Sequence, residues 1–345
     1  MQTISGASLT SEANREEFAE LSRLARGRGL LERRGGYYAV KIGATTGALA
    51  VLVVAVVVVG NSWWNLVVAV GVAVALTQVG FIGHDAGHHQ ICRRRRDNNV
   101  IGLISANLLT GFSFGWWLTK HNRHHAHTNR PGKDPDVDAG AFAFTDAQLE
   151  ERGRVGKSVA RIQAFLLVPL LFLEAMNMHV SSVVALMRRR DRRAVVEAGL
   201  LAVHGFVFFV APFLIMSPVR AVVFVAVTQL LNGFYLGVSF VTNHVGMPTL
   251  SGGDDLGFLR RQVITSRNLS GRVFTGFVFG GLDTQIEHHL FPTMPRANLR
   301  RARELVRPFC ADRAIPYVEE SPFRAYGDVL RYLAAAGAGR SVGGD

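Results

Sequence analysis

Twelve histidines occur in 345 residues, and most of them fall in three short clusters. The clusters are His84-Asp85-Ala86-Gly87-His88-His89, His121-Asn122-Arg123-His124-His125-Ala126-His127 and Gln285-Ile286-Glu287-His288-His289. On a helix, residues three or four apart share a face. His84 therefore points with His88, His121 with His124 and His125, and Gln285 with His288 and His289. Each cluster offers two or three nitrogen or oxygen donors from one face, and His244, just past an apolar run, adds another. That is too many donors for one tetrahedral zinc, and it suits two metal ions. Imidazole-rich sites without thiolate serve zinc, copper, iron or nickel. Iron is favoured because the clusters border lipid-like segments, where the C–H bonds are unreactive and zinc has no redox chemistry. Asp85 and Glu287 lie inside the clusters, placed to orient imidazoles from behind. His89 and His127 fall off the shared faces, and His179 and His204, inside apolar runs, read as structural.

The elements that must carry these clusters are membrane helices. Hydrophobic residues make up 49% of the chain, and apolar runs approach the roughly 20 residues that span a bilayer. Residues 42–60 and 66–83 form one pair, turning at Asn61-Ser62-Trp63-Trp64-Asn65, whose tryptophans suit a membrane interface. Residues 194–218 and 221–241 form a second pair, turning at Ser217-Pro218-Val219-Arg220. Runs at 100–118 and 164–187 are long enough to span. However, Arg93–Arg96 and Arg188–Arg190 flank them, and arginine clusters stay on the cytoplasmic side. Spans there would expel an arginine cluster or the second histidine cluster, so both runs are expected to be re-entrant or interfacial. The expected fold is all-α: a polytopic membrane protein with four transmembrane helices in two hairpins, re-entrant or interfacial helices and a cytoplasmic histidine-rich cap. Residues 1–40 read as a cytoplasmic leader with a mobile first dozen, 41–335 as the membrane domain, and 336–345 as a disordered tail.

The formal net charge is +12, carried almost entirely by arginine beside apolar runs. No aromatic-interleaved basic stripe is present, so a membrane surface is expected and nucleic acid is not. The arginine excess over lysine reads as the codon bias of a GC-rich genome, and the expected location is a bacterial inner membrane. Two cysteines, Cys92 and Cys310, exclude a disulfide framework and a thiolate zinc module. Both are expected to be free cytoplasmic thiols, open to a thiol reagent once cells are permeabilised.

HDAGH, HNRHH and QIEHHLFP occur in this order, with Asp134-Pro135-Asp136 after the second box. In this the sequence resembles the membrane fatty-acid desaturases over roughly residues 40–305. The resemblance implies a di-iron centre, O2 as oxidant, external electrons and a double bond placed in a long acyl chain. Carried over by position, it implies His84, His88, His121, His124, His125, His244, His288 and His289 as ligands. Gln285 stands where many members have histidine, which resembles the front-end branch that desaturates on the carboxyl side of an existing double bond. That branch is often fused to a cytochrome b5 domain. No haem domain fits in this chain, so a separate ferredoxin- or flavin-type donor is expected. Phe240 replaces an asparagine that stearoyl-type members carry four residues before the histidine ending the fourth span, which implies a differently held water.

The substrate is expected to be a membrane lipid or acyl thioester. A lipid or hydrocarbon hydroxylase or ketolase with the same boxes is the alternative outcome. A zinc-histidine membrane receptor or hydrolase needs only three or four ligands, fewer than the boxes supply. A proton-coupled transporter would place ionisable groups within its spans, where only Glu197 and His204 lie.

Overall fold

The computed structural model describes residues 11–138, 140–250, 256–271 and 273–340. The chain forms two compact units: Arg33–Thr119 with Val168–Val238, and Met1–Glu32 with Lys120–Leu167 and Ser239–Asp345.

The first unit is built from apolar helices. Gly35–Val59, Asn65–Gly87, Arg192–Ile215 and Pro218–His244, the last running on into the other unit's residues, are each long and apolar enough to cross a membrane. Two bent helix pairs raise the count to as many as six if each pair is one span. The first helix ends in Val56-Val57-Val58-Val59, a β-branched run with weak helix preference. Lipid overrides that preference, because a helix is the only way for one segment to satisfy all its backbone groups internally. Gly60 stops the helix with a left-handed φ of 61°, and its N–H bonds the Val56 carbonyl. Asn65 then closes the turn by donating from Nδ2 to the Gly60 carbonyl at 2.7 Å. Trp63 and Trp64 are 49% and 73% exposed, as the interface reading expects. Arg220 stacks on Trp63 and bonds the Asn61 carbonyl, which joins the two inter-helix turns.

Burial separates the helices by role. Only 11% of the Gly35–Val59 window is buried against 61% for Asn65–Gly87, so the second helix is packed within the protein and the first leaves most of its apolar surface uncovered. Leu49 packs with Val72, Ala75, Leu76 and Val79 between them. Gly233 sits so close to the Phe172 carbonyl that a Cβ would lie 2.6 Å from its oxygen; there only glycine allows Pro218–His244 to approach.

The run at 100–118 is sharply bent. Arg95–Thr110 and Phe114–His127 meet at 111°, and Gly111 turns the chain with φ 75°. Buried Glu197 holds this corner, accepting from Ser113 Oγ at 2.6 Å and Gly115 N at 3.1 Å while paired with Arg189 at 2.9 Å. His179 Nδ1 bonds the Gly111 carbonyl and His204 Nδ1 the Leu108 carbonyl. Both histidines thus bond backbone carbonyls at this corner. The run at 164–187 is also interrupted. It divides into Gln163–Phe172 and Glu174–Met187, and the sharp bend of 83° falls earlier, between Arg154–Arg161 and Gln163–Phe172.

The second unit corrects the all-α expectation. A parallel strand pair, Arg267–Leu269 with Val318–Glu320, aligns Asn268 with Glu319. Three-residue strands carry no readable alternation, so the sequence offered no signal for them. Part of the leader packs into this unit's core. Helix Ser11–Gly27 buries Leu21 and Ala25 completely against Leu259, Val263, Leu290 and Val306, and full burial of one such leucine is worth about 1.5–3 kcal/mol. The expected mobile dozen lies mostly outside the described residues, as do 341–345 of the expected tail. Helix Pro322–Gly337 ends inside the supposed tail, with Gly337 buried against the Ala160 carbonyl.

Cys310 is fully buried on helix Arg296–Ala311, and burial, then the charge of Glu287, pushes its thiol up to about 12. Cys92 is partly exposed. In permeabilised cells Cys92 alone should take up a maleimide, and Cys310 should react only after denaturation. Equal labelling of both native thiols would show that the 296–311 packing is open.

Candidate metal centre

The second unit gathers seven of the residues named from the sequence. Helix Phe114–His127 carries His121, His124 and His125; Pro218–His244 ends on His244; the six-residue helix Gln285–Leu290 carries Gln285, His288 and His289. His124 Nε2 lies 3.3 Å from His244 Nε2, and His121 Nε2 lies 3.1 Å from His125 Nε2. The donor atoms of His124, His244 and His289 all fall within 4.8 Å of one another. The ring of His125 stacks on that of His289 at 4.1 Å, and its centroid is 4.9 Å from that of His288. Nitrogens bound to one ion at about 2.0–2.1 Å sit roughly 3 Å apart, so these spacings fit a shared metal.

What lies behind each ring decides which nitrogen faces inward. His124 Nδ1 is 3.0 Å from Asp134 Oδ1; Asp134 is fully buried and accepts from the backbone N–H of Asn129 and of Asp136. His244 Nδ1 bonds the Thr265 carbonyl at 2.9 Å, and His289 Nδ1 bonds Gln262 Oε1 at 3.0 Å. Facing these acceptors, each Nδ1 must carry the proton, which leaves each Nε2 lone pair available for a metal. His289 Nε2 and Gln285 Oε1 are buried without a hydrogen-bond partner among the described residues. Such atoms cost about 1–3 kcal/mol each when left unsatisfied, and a metal ion would relieve that cost. The donor set fits the implied irons.

Asp134, Thr265 and Gln262 were not among the residues singled out as site residues. Asp134 had a signal in the Asp-Pro-Asp stretch; the other two had none. Glu287 differs from its expected role. Its carboxylate accepts from Asn268 Nδ2 at 2.8 Å and Tyr317 OH at 2.7 Å rather than from an imidazole. Burial raises its pKa.

In the first unit, His84 and His88 end helix Asn65–Gly87 with ring centroids 4.8 Å apart. Trp117 packs edge-on against both, over Gly87, where a Cβ would come within 2.6 Å of its ring. Asp85 Oδ1 lies 3.5 Å from His84 Nδ1. His89, in a left-handed conformation, accepts from Arg95 Nε at 3.4 Å and stays off the face.

Apolar spans and paired histidine faces define an integral membrane protein with a histidine-rich candidate metal centre. The profile described as "Fatty acid desaturase" matches residues 61–321. The chain belongs to that family. It is 32% identical over 272 residues to the "Acyl-lipid (9-3)-desaturase" of Physcomitrium patens, covering 76% of this chain and 51% of the moss protein. It is 30% identical to the "Delta(8)-fatty-acid desaturase" of Euglena gracilis, over 92% of this chain and 78% of that protein. It is also 30% identical to the "Delta(6)-fatty-acid desaturase fat-3" of Caenorhabditis elegans, over 78% of this chain and 64% of that one. The chain thus spans about half the length of the moss relative and about two-thirds of the nematode one. These relatives are eukaryotic and lend no support to the expected bacterial inner membrane.

Burial, and then the imidazoles of His125, His244, His124 and His288, holds His289 well below its ordinary value of 6.5. The unfolded chain takes up a proton near 6.5 that the folded site refuses. This contribution to stability is therefore present above about 6.5 and lost as pH falls below it. Metal-free protein in detergent should melt at a lower temperature at pH 5.5 than at pH 7.5, and His289→Asn should flatten that difference. An equal pH slope in the variant would count against a neutral, buried His289.

Proposed function

We propose that the protein is an O2-dependent fatty-acyl desaturase of the front-end type. Its metal ligands are His84, His88, His121, His124, His125, His244, His288 and His289, with Gln285 on the same face. Two irons, when bound, supply the O2 activation needed to take hydrogen from an unactivated C–H bond. The overall reaction removes two hydrogens from neighbouring CH2 groups. O2 takes two electrons from those bonds and two from an external donor, and with two further protons becomes two waters. The observation that carries this reading is the set of three inward-facing Nε2 atoms of His124, His244 and His289, each fixed by an acceptor behind it. The printed names of the relatives, Delta(8) and Delta(6) desaturases among them, favour the acyl-chain substrate and the carboxyl-side position. A separate ferredoxin- or flavin-type protein supplies the electrons, and the histidine boxes and both termini face the cytoplasm.

The chain's own residues hold and orient. Asp134 and Thr265 keep protons on the outer nitrogens, and Trp117 packs beside His84 and His88. Gln285 is the residue whose state must change on metal binding. Its Nε2 donates to His244 Nε2 at 2.9 Å, yet that lone pair cannot serve a proton and a metal together. With a metal held by His244, the Gln285 N–H would lose this acceptor, and Gln285 Oε1, buried without a partner among the described residues, would be a further oxygen donor for the site.

Purified protein should carry about two irons per chain, as the donor count requires; one zinc and no iron would end the di-iron reading. In cells supplied with polyunsaturated acyl precursors, expression should yield a new double bond that His125→Ala abolishes. Hydroxylated acyl chains without new unsaturation would assign the hydroxylase outcome instead. Gln285→Ala should leave the protein membrane-inserted but lower turnover by about 10–100-fold, and Gln285→His should retain part of it. Full activity of the alanine variant would remove Gln285 from the site.

A further inference from the structure

Segment 258–265 contains no histidine, yet it holds two of the site's rings. Its helix, Phe258–Ile264, carries Gln262, which is fully buried and within hydrogen-bond distance of three groups. Gln262 Nε2 donates to the backbone carbonyl of His125 at 2.8 Å. Gln262 Oε1 lies 3.0 Å from His289 Nδ1 and 3.2 Å from Thr128 Oγ1. Three residues on, the Thr265 carbonyl takes the Nδ1 proton of His244.

These contacts determine one another. A carbonyl oxygen only accepts, so the Gln262 atom facing His125 must be the amide nitrogen, which fixes the amide orientation. Its oxygen therefore faces His289 Nδ1, and only a proton on that nitrogen makes the 3.0 Å contact between them a hydrogen bond. Thr128 Oγ1 has one proton and three acceptors in reach, the His124 carbonyl at 3.0 Å, Gln262 Oε1 at 3.2 Å and His289 Nδ1 at 3.3 Å; wherever that proton points, Gln262 Oε1 still faces His289 Nδ1. A deprotonated Nδ1 would set two lone pairs against each other at 3.0 Å.

We infer that Gln262 is a positioning residue for the metal centre: anchored on the His125 backbone, it fixes the Nδ1–H tautomer of His289 and so presents Nε2 as a ligand. One amide thereby ties the second histidine box to the third. This inference rests on the metal reading above. Gln262 touches neither metal nor substrate, so its effect is read in metal retention.

The test uses full-length protein purified in detergent, with iron per chain and the rate of iron loss to a ferrous chelator as readouts. Gln262→Leu removes the acceptor; Gln262→Glu keeps an acceptor toward His289 and, when protonated, a donor toward His125. Gln262→Leu should lose iron about 10–100-fold faster than wild type, the usual cost of removing such a partner, and Gln262→Glu should stay within about threefold. Retention of iron by the leucine variant, or equally fast loss from both variants, overturns the inference. Should Gln262→Leu fail to fold, Gln262→Glu decides alone: retained iron supports the role and lost iron overturns it. Wild-type protein that binds no iron would instead overturn the metal reading itself.

Discussion

A neutral imidazole has one nitrogen that donates and one that accepts, and only the accepting one can hold a metal. The histidine-bearing unit is arranged around that constraint. His124, His244 and His289 each find an acceptor for the outer proton, and the three acceptors differ in kind: the carboxylate of Asp134, the carbonyl of Thr265 and the amide oxygen of Gln262. None of them adjoins its histidine in sequence, so the loop after the second box and the helix before the strand pair must fold correctly before any ring is aimed. The buried, unsatisfied His289 Nε2 is the cost of this arrangement without a ligand. Metal binding would remove that cost and so add to folding stability.

In the apolar unit the governing constraint is the backbone. Lipid offers no hydrogen bonds, so a corner such as 108–115 survives only if protein groups satisfy it. Glu197, Arg189, His179 and His204 do so. Ionisable residues within spans invite a transport reading. Here the carboxylate is held by the Arg189 cation, the Ser113 hydroxyl, the Gly115 backbone N–H and the Asn107 amide, and each histidine bonds a backbone carbonyl. These contacts support a bend in the chain.

The legible parts of the molecule were those encoded by local spacing. The boxes could be read because i, i+3 and i+4 place donors on one helical face, and the long helices because apolar runs have a length set by the bilayer. Helix ends were less legible. Gly35–Val59 starts ahead of its apolar run and Pro218–His244 continues past its own, since hydropathy falls where the polar surface begins while hydrogen bonding continues. Asp134 was half legible, visible as a motif but not as the partner of His124. Gln262 and Thr265 were illegible, because their roles depend on tertiary placement and a lone glutamine or threonine carries no spacing signal.

Glu287 shows why residue type alone misled. Inside a histidine box it reads as an imidazole orienter, yet it bonds Asn268 and Tyr317. Its helix, Gln285–Leu290, has six residues, far fewer than the roughly 12–15 that make an isolated helix even marginally stable in water. Asn268 also accepts from the backbone N–H of Ile286 at 2.9 Å, so one side chain grips this helix at two successive residues. Asn268 in turn belongs to the strand Arg267–Leu269, paired with Val318–Glu320 just beyond Tyr317. The short sheet and the buried carboxylate thus supply the rigidity that six helical residues lack. His288 and His289 follow directly on Glu287, whose carboxylate is anchored on Asn268 and Tyr317.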